Sequence, residues 1–349
     1  MPRLRRADLS GPGIRRRRRG RGFEYVDEGG ERIDDIETLE RIRELAIPPA
    51  WKDVWICPYP NGHIQAVGTD AAGRKQYRYH QRWRERRDQI KFDKMISFAR
   101  ALPRLREAAA ADVRRSGFPR ERVLACAVRL LDRGFFRIGG EEYAEENESY
   151  GLATMQKQHA TLGEGYMITF DFPAKSGKQQ IRSLVDPDVY DVVAALKRRR
   201  GGGRELLAYQ ADGAWFDVRS SDINAYIKEV TGGDFSAKDF RTWTGTVLAA
   251  VALAVSGPAV HSTTGRKRAI TRAIREVANY LGNTPAVARA SYIDPRVFDR
   301  YCAGVTIGGA LTKIGEVDEI GEPAFHGAVE EAVLDLLADE TTDAIEKVA

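Results

Sequence analysis

Four stretches of this 349-residue chain hold side chains that could manage an anion or move a proton. GFFRIGGEEYAEENESYGLATMQKQH sets Arg137 directly after an apolar helical run and beside Gly139-Gly140, where the backbone must turn, so its guanidinium could be pinned and buried. FDFPAKSGKQQ puts Lys175 and Lys178 in the turn between two strand-like runs, a place from which a flexible ammonium can project a proton donor into a groove. KDFRTWTGT places Lys238 and Arg241 at the opening of an apolar helix, the helix end that favours anions. LGNTPAVARASYIDP holds Asn283 just ahead of a Thr-Pro helix start, with Tyr292 in the small-residue run that follows. Each residue also has a bland role available: Arg137 paired with a neighbouring Glu, Lys175 as an ordinary turn lysine, Arg241 at a packing interface, Tyr292 in the core. Taken singly, the bland role is the better one.

Common alternatives find little support. Gly177-Lys178-Gln179 lacks the upstream glycine and the Ser/Thr of a phosphate loop, so no nucleotide site is expected. His63, His80, His159, His261 and His326 form no pairs at helical spacing, and Cys57, Cys126 and Cys302 form no CxxC, so neither a compact metal site nor a disulfide framework is expected. No cofactor is implied. The longest apolar run, TGTVLAAVALAVSGPAV, is Ala-rich and broken by Gly257-Pro258, which reads as a buried helix. Without a secretory leader pattern, a cytoplasmic protein is expected.

The elements that must position these side chains divide the chain unevenly. Residues 1–21 are rich in arginine and poor in apolar residues, which reads as a disordered basic tail. Residues 22–90 alternate apolar and polar residues between turn signals and read as a small β-rich domain. Residues 91–310 show helical periodicity, interrupted by a hairpin at YMITFDF and QQIRSLV, and residues 311–349 form an acidic, helical end. The fold class is therefore α+β. The net charge of +5 hides +8 on residues 1–22 and −9 on residues 311–349, so the body is mildly basic and suits a polyanion. Within the β-rich part, GRKQYRYHQRWR interleaves bases with aromatics. If extended, it turns Lys75, Tyr77 and Tyr79 to one side and Gln76, Arg78 and His80 to the other. Two phenols and a cation could then meet a sugar-phosphate surface while Gln76 reaches for base edges; a half-buried edge strand explains the pattern equally well.

In order and context these segments resemble the type IB DNA topoisomerases, particularly the short poxviral and bacterial form. FFRIGGEEYAEENESYGLATMQKQH is similar to the family's first catalytic-arginine block, KDFRTWTGT to its second, and LGNTPAVARASYIDP to its nucleophile block. The likeness extends upstream to GRKQYRYH and spans residues 22–310. It implies that Tyr292 attacks a backbone phosphorus to leave a 3′-phosphotyrosyl enzyme, that Arg137 and Arg241 hold the non-bridging oxygens, and that Lys175 protonates the departing 5′-oxygen. Asn283 stands where the family often has His, and is implied as a neutral donor to the phosphate. Ala174 stands where Gly often precedes the acid, which leaves Lys178 as a second candidate. DNA contacts are implied for Lys75, Gln76, Tyr77, Tyr79, Tyr143, Lys178 and Lys238. The partner implied is double-stranded DNA in the nucleoid, gripped by a monomer that clamps the duplex, with no ATP or required metal. A tyrosine recombinase shares the catalytic set but usually carries a helical DNA-binding domain, and a non-catalytic DNA-binding protein would need all five residues to coincide. One geometric demand follows: roughly eight helical residues between Asn283 and Tyr292 would span about 12 Å, so the segment must bend or the site must reach across it.

Overall fold

The computed structural model describes residues 3–257, 262–314, 326–338 and 345–347. The chain forms two compact units, Met1–Asp93 and Lys94–Ala349. No helix among the described residues is long and apolar enough to cross a membrane.

The first unit is built on strands β1 (Ile14–Arg19), β2 (Gly22–Val26), β3 (Lys52–Ile56), β4 (Ile64–Thr69) and β5 (Lys75–Tyr79), with helix α1 (Ile36–Glu44) between β2 and β3. They form one antiparallel sheet in the order β2-β1-β3-β4-β5. Ile14, Ile42, Val54, Ile56 and Ala66 are its buried core, closed over by Tyr25, Leu45 and Trp51. Asp35 caps α1 by accepting the Thr38 amide at 2.8 Å, a bond typically worth about 1 kcal/mol.

The arginine run corrects the reading of residues 1–21 as disordered. Ile14–Arg19 is strand β1 and pairs on both sides, Arg15 to Arg19 against β2 and Ile14-Arg15 against β3. Counting charge missed what alternation does. Ile14 enters the core at 5% exposure, and Gly13 passes so close to Trp55 that a Cβ would lie 1.9 Å from its indole nitrogen. Arg16 is half-buried, donating to the carbonyls of Pro48 (3.1 Å) and Trp51 (2.7 Å) while its guanidinium carbon sits 4.1 Å from the centre of the Phe23 ring. Arg15, Arg17, Arg18 and Arg19 stay in water.

Helix α2 (Gln81–Asp112) spans the division and begins earlier than expected, so QRWR is helical and the strand ends at Tyr79. In the second unit, α3 (Arg120–Gly134) is buried along most of its length, as its apolar content requires, and it stops where Phe135 turns left-handed at φ 57°. Next come α4 (Glu141–Asn147) and a three-stranded sheet of β6 (Ala160–Leu162), β7 (Met167–Ala174) and β8 (Lys178–Val185), in that spatial order. Helix α5 (Pro187–Arg198), the hairpin β9 (Ala208–Ala211) and β10 (Ala214–Asp217), and α6 (Ser220–Thr231) lead to α7 (Ala237–Val255). Then follow α8 (Thr263–Leu281), α9 (Pro285–Ser291), α10 (Pro295–Cys302), β11 (Val305–Thr306), α11 (Gly308–Ile314), α12 (Ala328–Ala338) and β12 (Glu346–Lys347), the last pairing with β11.

The described part of the acidic end is integral to this unit. Val329, Val333, Leu336 and Leu337 of α12 are buried, and Glu330 accepts the Trp243 indole N–H at 2.7 Å. Arg106 bridges Glu330 (2.5 Å) and Asp132 (2.8 Å), so α2, α3, α7 and α12 meet on one charge network. Removing one partner from so buried a set costs about 3–5 kcal/mol. Residues 315–325, 339–344 and 348–349 of the acidic end lie outside the described residues.

Candidate active site

Four segments of the second unit converge on a cavity of about 280 Å³ lined by Arg137, Lys175, Lys238, Arg241 and Tyr292, with Ser149 and Tyr150 on its wall. At roughly 30 Å³ per water, it has room for a phosphodiester group.

Arg137 stands in the loop after α3. That loop is tied down because the Leu152 amide donates to Arg137 O at 2.8 Å and the Ala153 amide to Ile138 O at 2.7 Å. Gly139 (φ 84°) and Gly151 allow the crossing: a Cβ on Gly151 would fall 2.4 Å from Gly139 Cα. Arg137 Nη2 then reaches the Gly282 carbonyl at 3.2 Å and makes a short bond to Asn283 Oδ1. The Asn283 amide nitrogen is buried and without a partner, and Asn283 is not part of the cavity wall.

Arg241, 5% exposed, lies one turn into α7, whose start is fixed by Ser236 and Asp239: the Ser236 amide donates to Asp239 Oδ2 at 2.8 Å. Its Nη1 and Nη2 donate to Phe135 O (2.8 Å) and Leu281 O (2.7 Å), and its Nε has no partner. Burial, with the Arg137 charge beside it, pulls this guanidinium down to about 10; it remains cationic at neutral pH. An unpaired donor on a buried cation is a costly arrangement that an anion relieves.

Tyr292 closes α9 at φ −129° and ψ −6°, its amide still donating to Ala288 O at 3.0 Å. The guanidinium carbon of Arg241 lies 5.1 Å from the centre of its ring. Burial alone would raise the phenol's pKa, but Arg241 first, then Arg137 and Lys238, outweigh it, and the net shift is downward. Tyr301 goes the other way: burial raises it and its hydroxyl is buried without a partner. Helix α9 runs from Pro285 to Ser291 with Asn283 before it and Tyr292 as its C-cap. The arginines reach across it, Arg137 holding Asn283 and Arg241 lying over Tyr292.

Lys175 opens the turn between β7 and β8. The Tyr150 amide donates to Pro173 O at 2.8 Å and Ser149 Oγ to Ala174 O at 3.2 Å, which fixes the strand just before the lysine. Lys175 lines the cavity; Lys178, exposed, does not. Lys238 also lines it. Tyr143 falls in α4, and its side chain lies outside the described residues. In the first unit, β5 alternates as expected: Lys75, Tyr77 and Tyr79 are exposed on one face, the two rings stacked 5.9 Å apart. Gln76 differs, since its amide donates to Asp70 at 2.9 Å rather than standing free.

Two neighbours were not singled out from sequence. Gly245 packs against the nucleophile segment, where a Cβ would lie 2.5 Å from Tyr292 O; a glycine inside an apolar helical run was the available signal. Thr246 Oγ1 accepts the Asp294 amide at 3.1 Å and donates to Thr242 O at 2.9 Å, joining α7 to the cap of α10. Among the described residues, no group of three or more His, Cys, Asp and Glu could hold a metal ion.

A mainly helical unit whose hairpin lysine, two arginines and a tyrosine share one cavity is matched by a family model described as "Eukaryotic DNA topoisomerase I, catalytic core" over residues 80–318. A second, "Bacterial DNA topoisomerase IB, N-terminal domain", matches residues 22–70. The chain belongs to the type IB DNA topoisomerase family, isomerases that act on DNA. It is 33% identical over 288 residues to the DNA topoisomerase 1B of Acanthamoeba polyphaga mimivirus, a match covering 80% of this chain and 85% of that protein. The DNA topoisomerase 1 of Daucus carota is 26% identical over 159 residues, 45% of this chain and 19% of that protein. That of Schizosaccharomyces pombe is 28% identical over 125 residues, 35% of this chain and 14% of the relative.

Proposed function

We propose that the chain relaxes positive and negative supercoils by opening one DNA strand at Tyr292, letting the duplex turn, and resealing it without ATP. The observation that carries this is the convergence of Arg137, Lys175, Arg241 and Tyr292 on one cavity with the phenol's pKa drawn down. Tyr292 Oη attacks the scissile phosphorus, forming the O–P bond as the phosphorus–O5′ bond breaks. The phenolic proton leaves to solvent, and Lys175 Nζ gives its proton to O5′. A 3′-phosphotyrosyl enzyme and a 5′-hydroxyl result. Arg137 and Arg241, with the free Asn283 amide N–H, hold the non-bridging oxygens as charge builds in the pentacoordinate transition state, where fixed donors stabilise most. The ester conserves the bond energy, so the 5′-hydroxyl reverses the step without ATP, returning its proton to Lys175 as the Tyr292 phenolate departs and regains a proton from solvent. With this much cationic charge in place, no divalent metal is required.

All five groups belong to one chain and one unit, which supports a monomer. The first unit serves as the DNA-binding module through Lys75, Tyr77 and Tyr79, the two units closing on the duplex in the nucleoid, with Lys178, Lys238 and Tyr143 contacting the backbone near the site. The testing experiment is relaxation of plasmids of both supercoil signs in EDTA without nucleotide. The folded protein is expected to relax both; relaxation that depends on ATP or Mg²⁺ would contradict the reading.

Two further results are expected. Lys175→Ala cleaves an ordinary phosphodiester slowly, by about 10²–10⁴-fold relative to the parent, but recovers on a substrate whose 5′-bridging oxygen is sulfur, a leaving group that needs no proton. The same rescue in Lys178→Ala instead would move the acid to Lys178. Gly245→Ala forces a methyl against Tyr292 O, and a displacement near 1 Å of the attacking group slows cleavage by on the order of 10²-fold; single-turnover rates with unchanged DNA affinity are the check.

A further inference from the structure

The C-terminal end of α8 gathers three guanidiniums on three consecutive carbonyls. Arg182 Nη2, from β8, donates to Tyr280 O at 2.5 Å; Arg241 Nη2, from α7, to Leu281 O at 2.7 Å; Arg137 Nη2, from the loop after α3, to Gly282 O at 3.2 Å. The last carbonyls of a helix have no partner within it and carry the negative end of its dipole, so cations are at home there. Among the described residues no carboxylate pairs with any of the three. The distinction matters physically. A carboxylate would hold a guanidinium and cancel its charge, whereas a carbonyl holds it and leaves the charge to act on an anion.

Arg182 is the member that no sequence motif marked. It is half-buried, and burial together with the Arg137 charge draws its pKa down. Its Nη2 also donates to Gln180 Oε1 at 2.9 Å, and Gln180 is packed against the left-handed Gly282 (φ 62°) so closely that a Cβ there would lie 2.9 Å from Gln180 Oε1. Residues Gln180 and Arg182 thus dock the strand that follows Lys175 on the same helix end that orders the two site arginines. Arg182 itself is not on the cavity wall.

We infer that Arg182 is a positioning residue for phosphate recognition: by tying Tyr280 O to β8 it fixes the helix end on which Arg241 and Arg137 are seated. The inference rests on the reading of those two arginines as the holders of the non-bridging oxygens. It extends that reading by assigning the α8 carbonyls as an uncharged frame that keeps the cationic site assembled before DNA arrives.

The test compares single-turnover cleavage of two duplexes, one with an ordinary scissile phosphodiester and one in which a methyl group replaces a non-bridging oxygen there. Non-covalent affinity is measured alongside. Arg182→Ala is expected to slow the phosphodiester reaction by on the order of ten- to a hundredfold, with affinity nearly unchanged. The methylphosphonate reaction slows far less, because one of the two oxygens that the seated arginines hold is gone, and one unit of negative charge with it. Arg182→Lys, which keeps a donor and a charge, recovers most of the rate, and stands in if the alanine variant does not fold. Unchanged phosphodiester cleavage, or equal slowing on both substrates, would overturn the inference. Failure of the parent protein to cleave either duplex would instead defeat the reading on which it rests.

Discussion

Tyr292→Phe forms no covalent adduct with DNA and relaxes no supercoils, a loss of at least about four orders of magnitude, as removal of a nucleophile gives elsewhere. The substitution deletes one oxygen and keeps the ring that faces Arg241 at 5.1 Å, so the cavity keeps its shape and DNA affinity is retained. No neighbour takes over. Tyr301 is 6% exposed and burial holds its phenol protonated, while Tyr280 offers its carbonyl to Arg182 and its ring lies against Phe135, 6.1 Å between centres. Denaturing gels of the protein incubated with a labelled duplex read the outcome directly. An adduct persisting in this variant would remove Tyr292 from its role.

Arg241→Ala slows cleavage by on the order of 10²–10³-fold, the usual consequence of losing one preorganised donor at a developing anion. It also shifts the dependence on pH. Burial raises the Tyr292 phenol and the neighbouring cations lower it, Arg241 most strongly. Without Arg241 the balance tips towards the burial effect, the phenol's pKa rises, and the alkaline rise of the cleavage rate moves to higher pH. Single-turnover rates between about pH 6 and 10 resolve this; an unshifted profile would separate Arg241 from the ionisation of Tyr292. Some stability is lost as well, because Phe135 O and Leu281 O lose their donors, at about 1–3 kcal/mol for each buried group left unpaired.

Local patterns in the chain announced much of this arrangement. Period-two alternation in KQYRY put Lys75, Tyr77 and Tyr79 on one face, and β5 has that face exposed. Thr284-Pro285 announced the start of α9. The cavity residues were legible as a set only through the resemblance of their segments to the type IB topoisomerase blocks; the local signals beside them, a glycine pair, a hairpin turn or a helix start, left each with a bland role. What stayed hidden depends on partners distant in sequence. The arginines of β1 read as a tail because nothing local tells that Ile14 meets Ile56 or that Arg16 meets the carbonyls after α1. Glu330 looked like one acid among many until Arg106 and Trp243 were seen to share it. Arg182 carries an ordinary strand residue's signature, and only the end of α8, 98 residues on, gives it a task.

The central claim is that Tyr292 itself becomes joined to the 3′-phosphate of DNA in a site whose charge comes from side chains. The direct measurement is to trap the adduct in EDTA, digest the protein, and locate the modified peptide by mass spectrometry. A single nucleotide-bearing peptide containing Tyr292 is expected, linked through a 3′-phosphate, with a free 5′-hydroxyl on the released strand. Attachment at another residue, linkage through a 5′-phosphate, or an adduct that forms only when a divalent metal is present would contradict it.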